Sequence, residues 1–255
     1  MMQAIHPDKS RGQNFLTDKN VLRKIVDAAE LSPSDIVLEI GAGTGVLTSE
    51  LAKLVKKVIA FEIDKKLIPV LQENLKNFDN VEICNESALQ ANEMPANYKL
   101  VANIPYNITS SILEKFLSAA KLPKLIVLLV QKEVAERVCA RPGKMSVLSV
   151  MAQYYGAPKI IAKVSSSAFW PAPKVDSAIL KIVIKKRWPA EDEKKFFQIV
   201  KIGFSQKRKM LKNNLSALAD EKKIAAVMRT VGIAEKARAQ ELGVEQWVNL
   251  VKKFD

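Results

Sequence analysis

The sequence predicts an α/β fold, a mostly parallel doubly wound sheet followed by a small all-helical region, and three observations carry the prediction. Ile36-Val37-Leu38-Glu39-Ile40 reads as a buried strand running into a glycine-rich turn, and Val58-Ile59-Ala60-Phe61-Glu62 repeats the pattern after a helical stretch, which makes a βαβ unit. Further short apolar runs at Val81–Cys84, Leu100–Ala102 and Leu125–Val130 are separated by helical patterns such as Ile112, Leu113, Phe116, Leu117 and Ala120. Strands alternating with helices imply parallel crossovers. After Arg187-Trp188-Pro189 every segment is helix-like, with Phe196, Phe197, Val200 and Phe204 on one face and Leu211, Leu215 and Leu218 on another.

In chain order, the two last strand patterns are Ile160–Val164 and Ala178–Ile184, joined by a Ser- and Pro-rich loop with no room for a helical crossover. Such a connection permits antiparallel pairing only, so the sheet is expected to end in an antiparallel pair. A domain boundary is placed near residue 188, giving 1–188 as the α/β domain and 189–255 as the helical one. At 255 residues the chain suits one domain with a small appendage, and a hydrophobic fraction of 48% with 26% charged residues is ordinary globular composition.

Composition also excludes several chemistries. Cys84 and Cys139 stand far apart, and His6 is the single histidine, in an N-terminal stretch that is expected to fray. A Cys/His zinc site, a disulfide scaffold and a Ser-His-Asp triad are therefore not expected. The longest apolar run, Leu125–Val130, is far short of the roughly 18 residues that span a bilayer, and no signal peptide is visible at the N-terminus. A cytoplasmic location with no membrane partner and no metal is expected.

Charge points to a polyanion. Lys and Arg number 40 against 27 Asp and Glu, a net charge of +13, and the excess is uneven: Lys185–Lys212 holds ten basic and three acidic residues. Such a cluster suits phosphate contacts, with Lys207, Arg208, Lys209 and Lys212 as the best candidates; the alternative is a solvated helix face.

The turn Glu39-Ile40-Gly41-Ala42-Gly43-Thr44-Gly45 follows a strand and precedes a helix, yet Val46 stands where the pyrophosphate-binding fingerprint needs glycine, and no phosphate-loop lysine follows. Glu62 ends the next strand, placed to accept both hydroxyls of a ribose. A nucleoside cofactor without pyrophosphate fits both facts, and S-adenosylmethionine is the obvious one; a plain tight turn in any α/β protein is the alternative. At the end of the fourth strand comes Asn103-Ile104-Pro105-Tyr106. An adenine N6 amino group is a poor nucleophile because its lone pair is delocalised into the ring. The Asn103 side-chain oxygen and the Ile104 carbonyl, fixed by Pro105, can accept its two hydrogens and pull the nitrogen towards a pyramidal geometry. Tyr106 supplies a stacking face for the base. A helix-start turn with a core tyrosine is the competing reading.

These motifs, with Gly12-Gln13-Asn14-Phe15-Leu16, Gln131–Ala135, Ser167–Ser177 and Phe204–Lys209, resemble the ribosomal RNA adenine N6,N6-dimethyltransferases over nearly the whole length, closest to the bacterial small-subunit branch. The resemblance implies a Rossmann-like class I methyltransferase with a seven-stranded sheet, S-adenosylmethionine as cofactor, and immature small-subunit ribosomal RNA as partner of a monomer. It implies that Asn14 and Leu16 touch the cofactor, that Gly41 and Gly43 approach its methionine part, and that Glu62 holds the ribose with Ile63 against the adenine. Asn103 would bridge cofactor and target, and Phe169 would cover the face of the base opposite Tyr106. Ser87, preceded by Glu86, stands where the family has an aspartate for the adenine amino group. Ser165 and Ser166 replace two prolines, which suggests a less rigid approach to Phe169, and a family Tyr-Gly is missing before Met145-Ser146-Val147. The large-subunit antibiotic-resistance methyltransferases share the chemistry and are the nearer alternative. An RNA-binding assembly factor without turnover is the more distant one.

Overall fold

The computed structural model describes residues 7–8, 12–185 and 192–254. His6 and the expected boundary at 188 lie outside the described residues, as do Lys186, Arg187 and Glu191 of the basic run.

The chain forms, in order, β1 (Phe15–Leu16), α1 (Lys19–Ala28), β2 (Ile36–Ile40), α2 (Val46–Ala52), β3 (Lys57–Phe61), α3 (Ile68–Leu75), β4 (Val81–Cys84), β5 (Tyr98–Asn103), α4 (Thr109–Leu117), β6 (Leu125–Gln131) and α5 (Lys132–Val138). There follow α6 (Val147–Tyr155), β7 (Gly156–Val164), β8 (Phe169–Trp170), β9 (Ser177–Ile184), α7 (Glu193–Gly203), α8 (Leu211–Asn214), α9 (Glu221–Thr230) and α10 (Val244–Val251). Two compact units result: residues 1–135 with 158–184, and residues 136–157 with 185–255.

In the first unit seven strands lie in the order β4-β3-β2-β5-β6-β9-β7. β4, β3, β2, β5 and β6 run parallel, and β9 is antiparallel to β6. β9 therefore lies between β6 and β7, so the two last strands are hydrogen-bonded neighbours at that end of the sheet as anticipated, with β7 as the edge. Central strands covered on both faces must be apolar throughout, and Ile126 to Val130 are all fully buried. β7 has the exposed alternate positions of an edge strand. The strand order reverses between β2 and β5, so the carboxyl ends of these two strands flank the crevice where open α/β sheets bind ligands.

Among the described residues, the regular structure of the second unit is helical apart from the first two residues of β7. It takes in 136–157 as well as the C-terminal segment, which departs from a contiguous division at residue 188, and aromatic packing explains why. Tyr154, fully buried on α6, stacks on Phe196 with ring centroids 4.7 Å apart, and Tyr155 stacks on Phe197 at 5.7 Å; aromatic pairs at such spacings dominate local core energetics. The Ser146 that follows the family's missing dipeptide now has a role. It caps α6, its hydroxyl accepting the Ser149 N–H at 3.2 Å while the Ser149 hydroxyl accepts the Ser146 N–H at 2.6 Å. Among the described residues, no helix is long and apolar enough to cross a membrane, and no cluster of three His, Cys, Asp or Glu could hold a metal.

Candidate active site

A cavity opens at the carboxyl ends of β2, β3 and β5 in the first unit, and its walls come from the segments singled out in the sequence. The glycine turn forms its floor. Gly41 and Gly43 have φ of 73° and 59°, left-handed values that favour glycine. A Cβ on Gly43 would meet the Phe15 ring at 3.4 Å. The turn is tied down by its own amides, since the Gly41 and Ala42 N–H groups both donate to the Phe61 carbonyl, at 2.8 and 3.1 Å.

Glu62, 5% exposed, holds the turn from the other side. One carboxylate oxygen accepts the Gly43 N–H and the other the Asp64 N–H, both at 2.8 Å. A carboxylate has roughly four lone-pair sites, so two remain for hydroxyl donors. Beyond Glu62 the cavity wall is Ile63, half exposed, an apolar surface suited to a flat ring. Ser87 and Glu86 line the same end. The Ser87 hydroxyl accepts the Leu89 N–H at 3.2 Å, which leaves its own proton to donate. Lys115 of α4 pins this loop, donating to the Leu89 and Ala91 carbonyls at 2.7 and 2.6 Å.

Glu39 was not picked out as a site residue by the sequence reading. It is the charged position within an otherwise apolar strand, and that oddity was the available signal, because carboxylates are rarely buried without a task. It lines the cavity at 1% exposure with one carboxylate oxygen unpartnered. Burial pushes its pKa up to about 8; the nearby Thr48 hydroxyl opposes the shift and the Glu62 charge adds to it. An unpartnered buried carboxylate oxygen in a cavity wall is a ready acceptor for a cationic group.

At the opposite end, Asn103 closes β5 and its side-chain N–H₂ donates to the Asn14 carbonyl at 3.3 Å. This turns the carboxamide so that its oxygen is the free end. Asn14 itself is fixed by donating to the Gly12 carbonyl at 3.0 Å, and Gln13 beside it donates to Asp64 at 2.9 Å. Pro105, with φ of −55°, leads into the short helical turn Tyr106–Ile108. Asn14, Leu16, Gly41, Gly43, Glu62, Ile63, Ser87 and Asn103–Tyr106 therefore all meet in one cavity.

Phe169 does not join them. It is 4% exposed, packs in the core of the unit and pairs through β8 with Leu16 of β1, itself a cavity residue. The turn before it carries its own hydrogen bonds. Ser165 adopts φ of −64°, close to proline's own value, and its hydroxyl accepts from the Ser167 N–H and hydroxyl at 3.3 and 2.9 Å.

In the second unit the basic candidates separate. Lys207, Arg208 and Lys209 are exposed on the loop after α7, and no ion pair engages them among the described residues. Lys212 differs. It lies between Glu221 and Glu235, each at 2.9 Å, with 13% of its side chain exposed, so its charge is balanced within the unit.

A doubly wound sheet with a nucleoside-sized cavity at its switch point, and an Asn-Ile-Pro-Tyr turn at the end of β5, defines a Rossmann-like methyltransferase. The profile of the family "Ribosomal RNA adenine dimethylase" matches residues 6–255. Curated relatives called ribosomal RNA small subunit methyltransferase A include one from Caldanaerobacter subterraneus subsp. tengcongensis, 43% identical over 95% of each chain, and one from Moorella thermoacetica, 42% identical over 97% of this chain and 92% of its own. Among solved structures, a dimethyladenosine transferase from Plasmodium falciparum aligns with a TM-score of 0.82 at 31% identity over 92% of this chain and 95% of that one. The 23S rRNA methyltransferase ErmE aligns with a TM-score of 0.77 at 30% identity over 94% of this chain and 99% of its own. The chain belongs to the ribosomal RNA adenine dimethylase family.

Proposed function

We propose that this protein transfers methyl groups from S-adenosylmethionine to N6 of two adjacent adenosines near the 3′ end of small-subunit ribosomal RNA, giving N6,N6-dimethyladenosines during ribosome maturation. The carrying observation is the Asn103 carboxamide, whose nitrogen is committed to the Asn14 carbonyl and whose oxygen is thereby left to accept an amino N–H at the cavity.

The cavity's donor set fits the cofactor. The unpartnered Glu39 oxygen suits its α-ammonium group, the free lone pairs of Glu62 suit ribose hydroxyls, Ile63 suits the adenine face, and Ser87 with Glu86 suits the adenine edge. Bound there, S-adenosylmethionine supplies an electrophilic methyl on a sulfonium centre. Asn103 and the Ile104 carbonyl accept the hydrogens of the target amine and orient its lone pair, while the Tyr106 ring stacks on the base. Pro105 keeps that carbonyl from swinging away. Lys207, Arg208 and Lys209 supply phosphate contacts from the second unit, a salt-sensitive and largely sequence-independent contribution.

The small-subunit assignment is supported by relatives above 40% identity named for that activity, against 30% for the large-subunit enzyme. The test is incubation of the protein with labelled S-adenosylmethionine and either under-methylated small subunits or large-subunit RNA, followed by mapping of the labelled bases. Label on two neighbouring adenosines of the small subunit is expected; label confined to large-subunit RNA would overturn the assignment.

A further inference from the structure

Asp176 and Ser177 have no place in the chemistry above, yet they meet the base end of the cavity from three directions. β9 runs antiparallel to β6, so it begins where β6 ends, and Ser177 pairs in register with Gln131. That register brings Ser177 to the sheet edge where Asn103, paired with Leu129, closes β5. Ser177 is fully buried, and its hydroxyl shares a 2.6 Å hydrogen bond with the Tyr106 phenol. Asp176 beside it accepts the Ser166 N–H at 3.2 Å through its side chain and the Lys132 N–H at 3.0 Å through its carbonyl. The start of β9 thus links the Asn103–Tyr106 turn, the turn before Phe169 and the start of α5.

Stacking on a base needs only an aromatic face, and phenylalanine would supply it. A phenol with a fully buried hydroxyl partner adds something stacking does not use. The Tyr106 oxygen lies on the axis of its Cβ–Cγ bond, so anchoring that oxygen fixes where the ring points. The preference of phenol hydrogen bonds for the ring plane further biases which way the face turns. Burial raises the Tyr106 pKa and the bond to Ser177 opposes the rise, in keeping with a phenol that stays protonated in its role.

We propose that Ser177 is a positioning residue for methyl transfer, holding the Tyr106 ring at the angle that keeps the target base aligned through both rounds. The proposal rests on the adenine N6 reading given above. Two methyls on one nitrogen require the base to stay held, or to be held again, after the first transfer has removed one of its N–H groups. A ring free to tilt would release the monomethylated base more often.

The test compares wild type, Tyr106→Phe, Ser177→Ala and the double variant on under-methylated small subunits. Each single variant is expected to lower kcat about three- to tenfold, the scale of one neutral hydrogen bond, with the dissociation constant for S-adenosylmethionine unchanged within about twofold. The double variant is expected to lose no more than either single one, and monomethyladenosine is expected to rise as a share of product in all three. A lower thermal midpoint with unchanged kcat and product ratio in Ser177→Ala would reduce the bond to packing, and multiplicative losses in the double variant would separate the two roles; either overturns the proposal. If Ser177→Ala does not fold, Tyr106→Phe removes the same bond from the other side, and full activity there overturns it as well. Carbon-13 relaxation of the tyrosine rings, four in the chain, reads the anchor without turnover: the Tyr106 ring should gain motion in Ser177→Ala while the others do not, and an unchanged ring refutes the anchor. A wild type that labels no adenine would instead remove the reaction on which the proposal depends, leaving the ring measurement to judge the anchor alone.

Discussion

The cavity of the first unit and the basic loop of the second are held in place by opposite means. In the cavity several polar side chains are anchored by hydrogen bonds: Glu62 to two backbone amides, the Asn103 nitrogen to a carbonyl, Tyr106 to Ser177. In the loop Phe204–Lys209 the anchors lie beneath and the charges are free. Gly203 leaves room for Trp247, whose ring a Cβ would meet at 2.4 Å, Phe204 stacks on that ring at 5.5 Å, and Asn214 donates to the Gly203 and Gln206 carbonyls at 2.6 and 3.1 Å. Lys207, Arg208 and Lys209 are left in water. The difference follows from the tasks. Aligning one nitrogen with one methyl requires preorganised groups, whereas phosphate contacts need charge density and little geometry.

Breaking the cavity should cost most. Asn103→Ala is expected to lower the rate of methyl transfer by about a hundredfold or more, the scale of losing one preorganised partner at a reacting centre, with RNA affinity and its salt dependence unchanged, as single-turnover rates and filter binding would show. Glu62→Ala comes next. Because Glu62 holds the turn as well as facing the cavity, calorimetric titration should show weakened S-adenosylmethionine binding and a melt should show a lower midpoint, since two backbone amides lose a charged acceptor, each such bond being worth about 1.5–3 kcal/mol. A melt identical to wild type would mean the turn stands without it.

Smaller effects sharpen the other side of the comparison. Reversing Lys207, Arg208 and Lys209 together should flatten the log–log salt dependence of RNA binding by up to about 0.9 per lost duplex phosphate contact, with cofactor affinity intact. Lys212→Gln should leave that slope unchanged, because its ammonium already sits between two carboxylates; a drop equal to one contact would show that those carboxylates yield to RNA. The mildest effect concerns pH. The folded pKa of Glu39, about 8, lies above its ordinary value of 4.5, so its contribution to stability is complete below about pH 4.5 and is lost as pH rises through 8. The melting midpoint of Glu39→Gln relative to wild type should therefore rise between pH 5 and 8.5. A constant difference would place the carboxyl's titration outside that window.

The succession of strands and helices and the chemistry-bearing turns could be read from the chain because each is local. An apolar run, three glycines and a proline dictate backbone at the positions they occupy, and a resemblance spanning the motifs fixed their order. What escaped was set by partners distant in sequence. Lys212 counts as a free charge until Glu221 and Glu235 fold against it, and the pairing of β8 with β1 that buries Phe169 joins segments some 150 residues apart. Helix α6 joins the second unit through rings some forty residues away. Glu39 was visible as a charge inside a strand, but only the orphaned oxygen in a cavity wall gives it a task.

The most direct measurement of the central claim is mass spectrometry of nucleosides from under-methylated small subunits digested at intervals after mixing with the protein and S-adenosylmethionine. Monomethyladenosine should appear first and give way to N6,N6-dimethyladenosine as the main product, and Asn103→Ala should form almost none of either. A wild-type reaction that stops at monomethyladenosine at long times, or an Asn103→Ala reaction that runs at the wild-type rate, would contradict it.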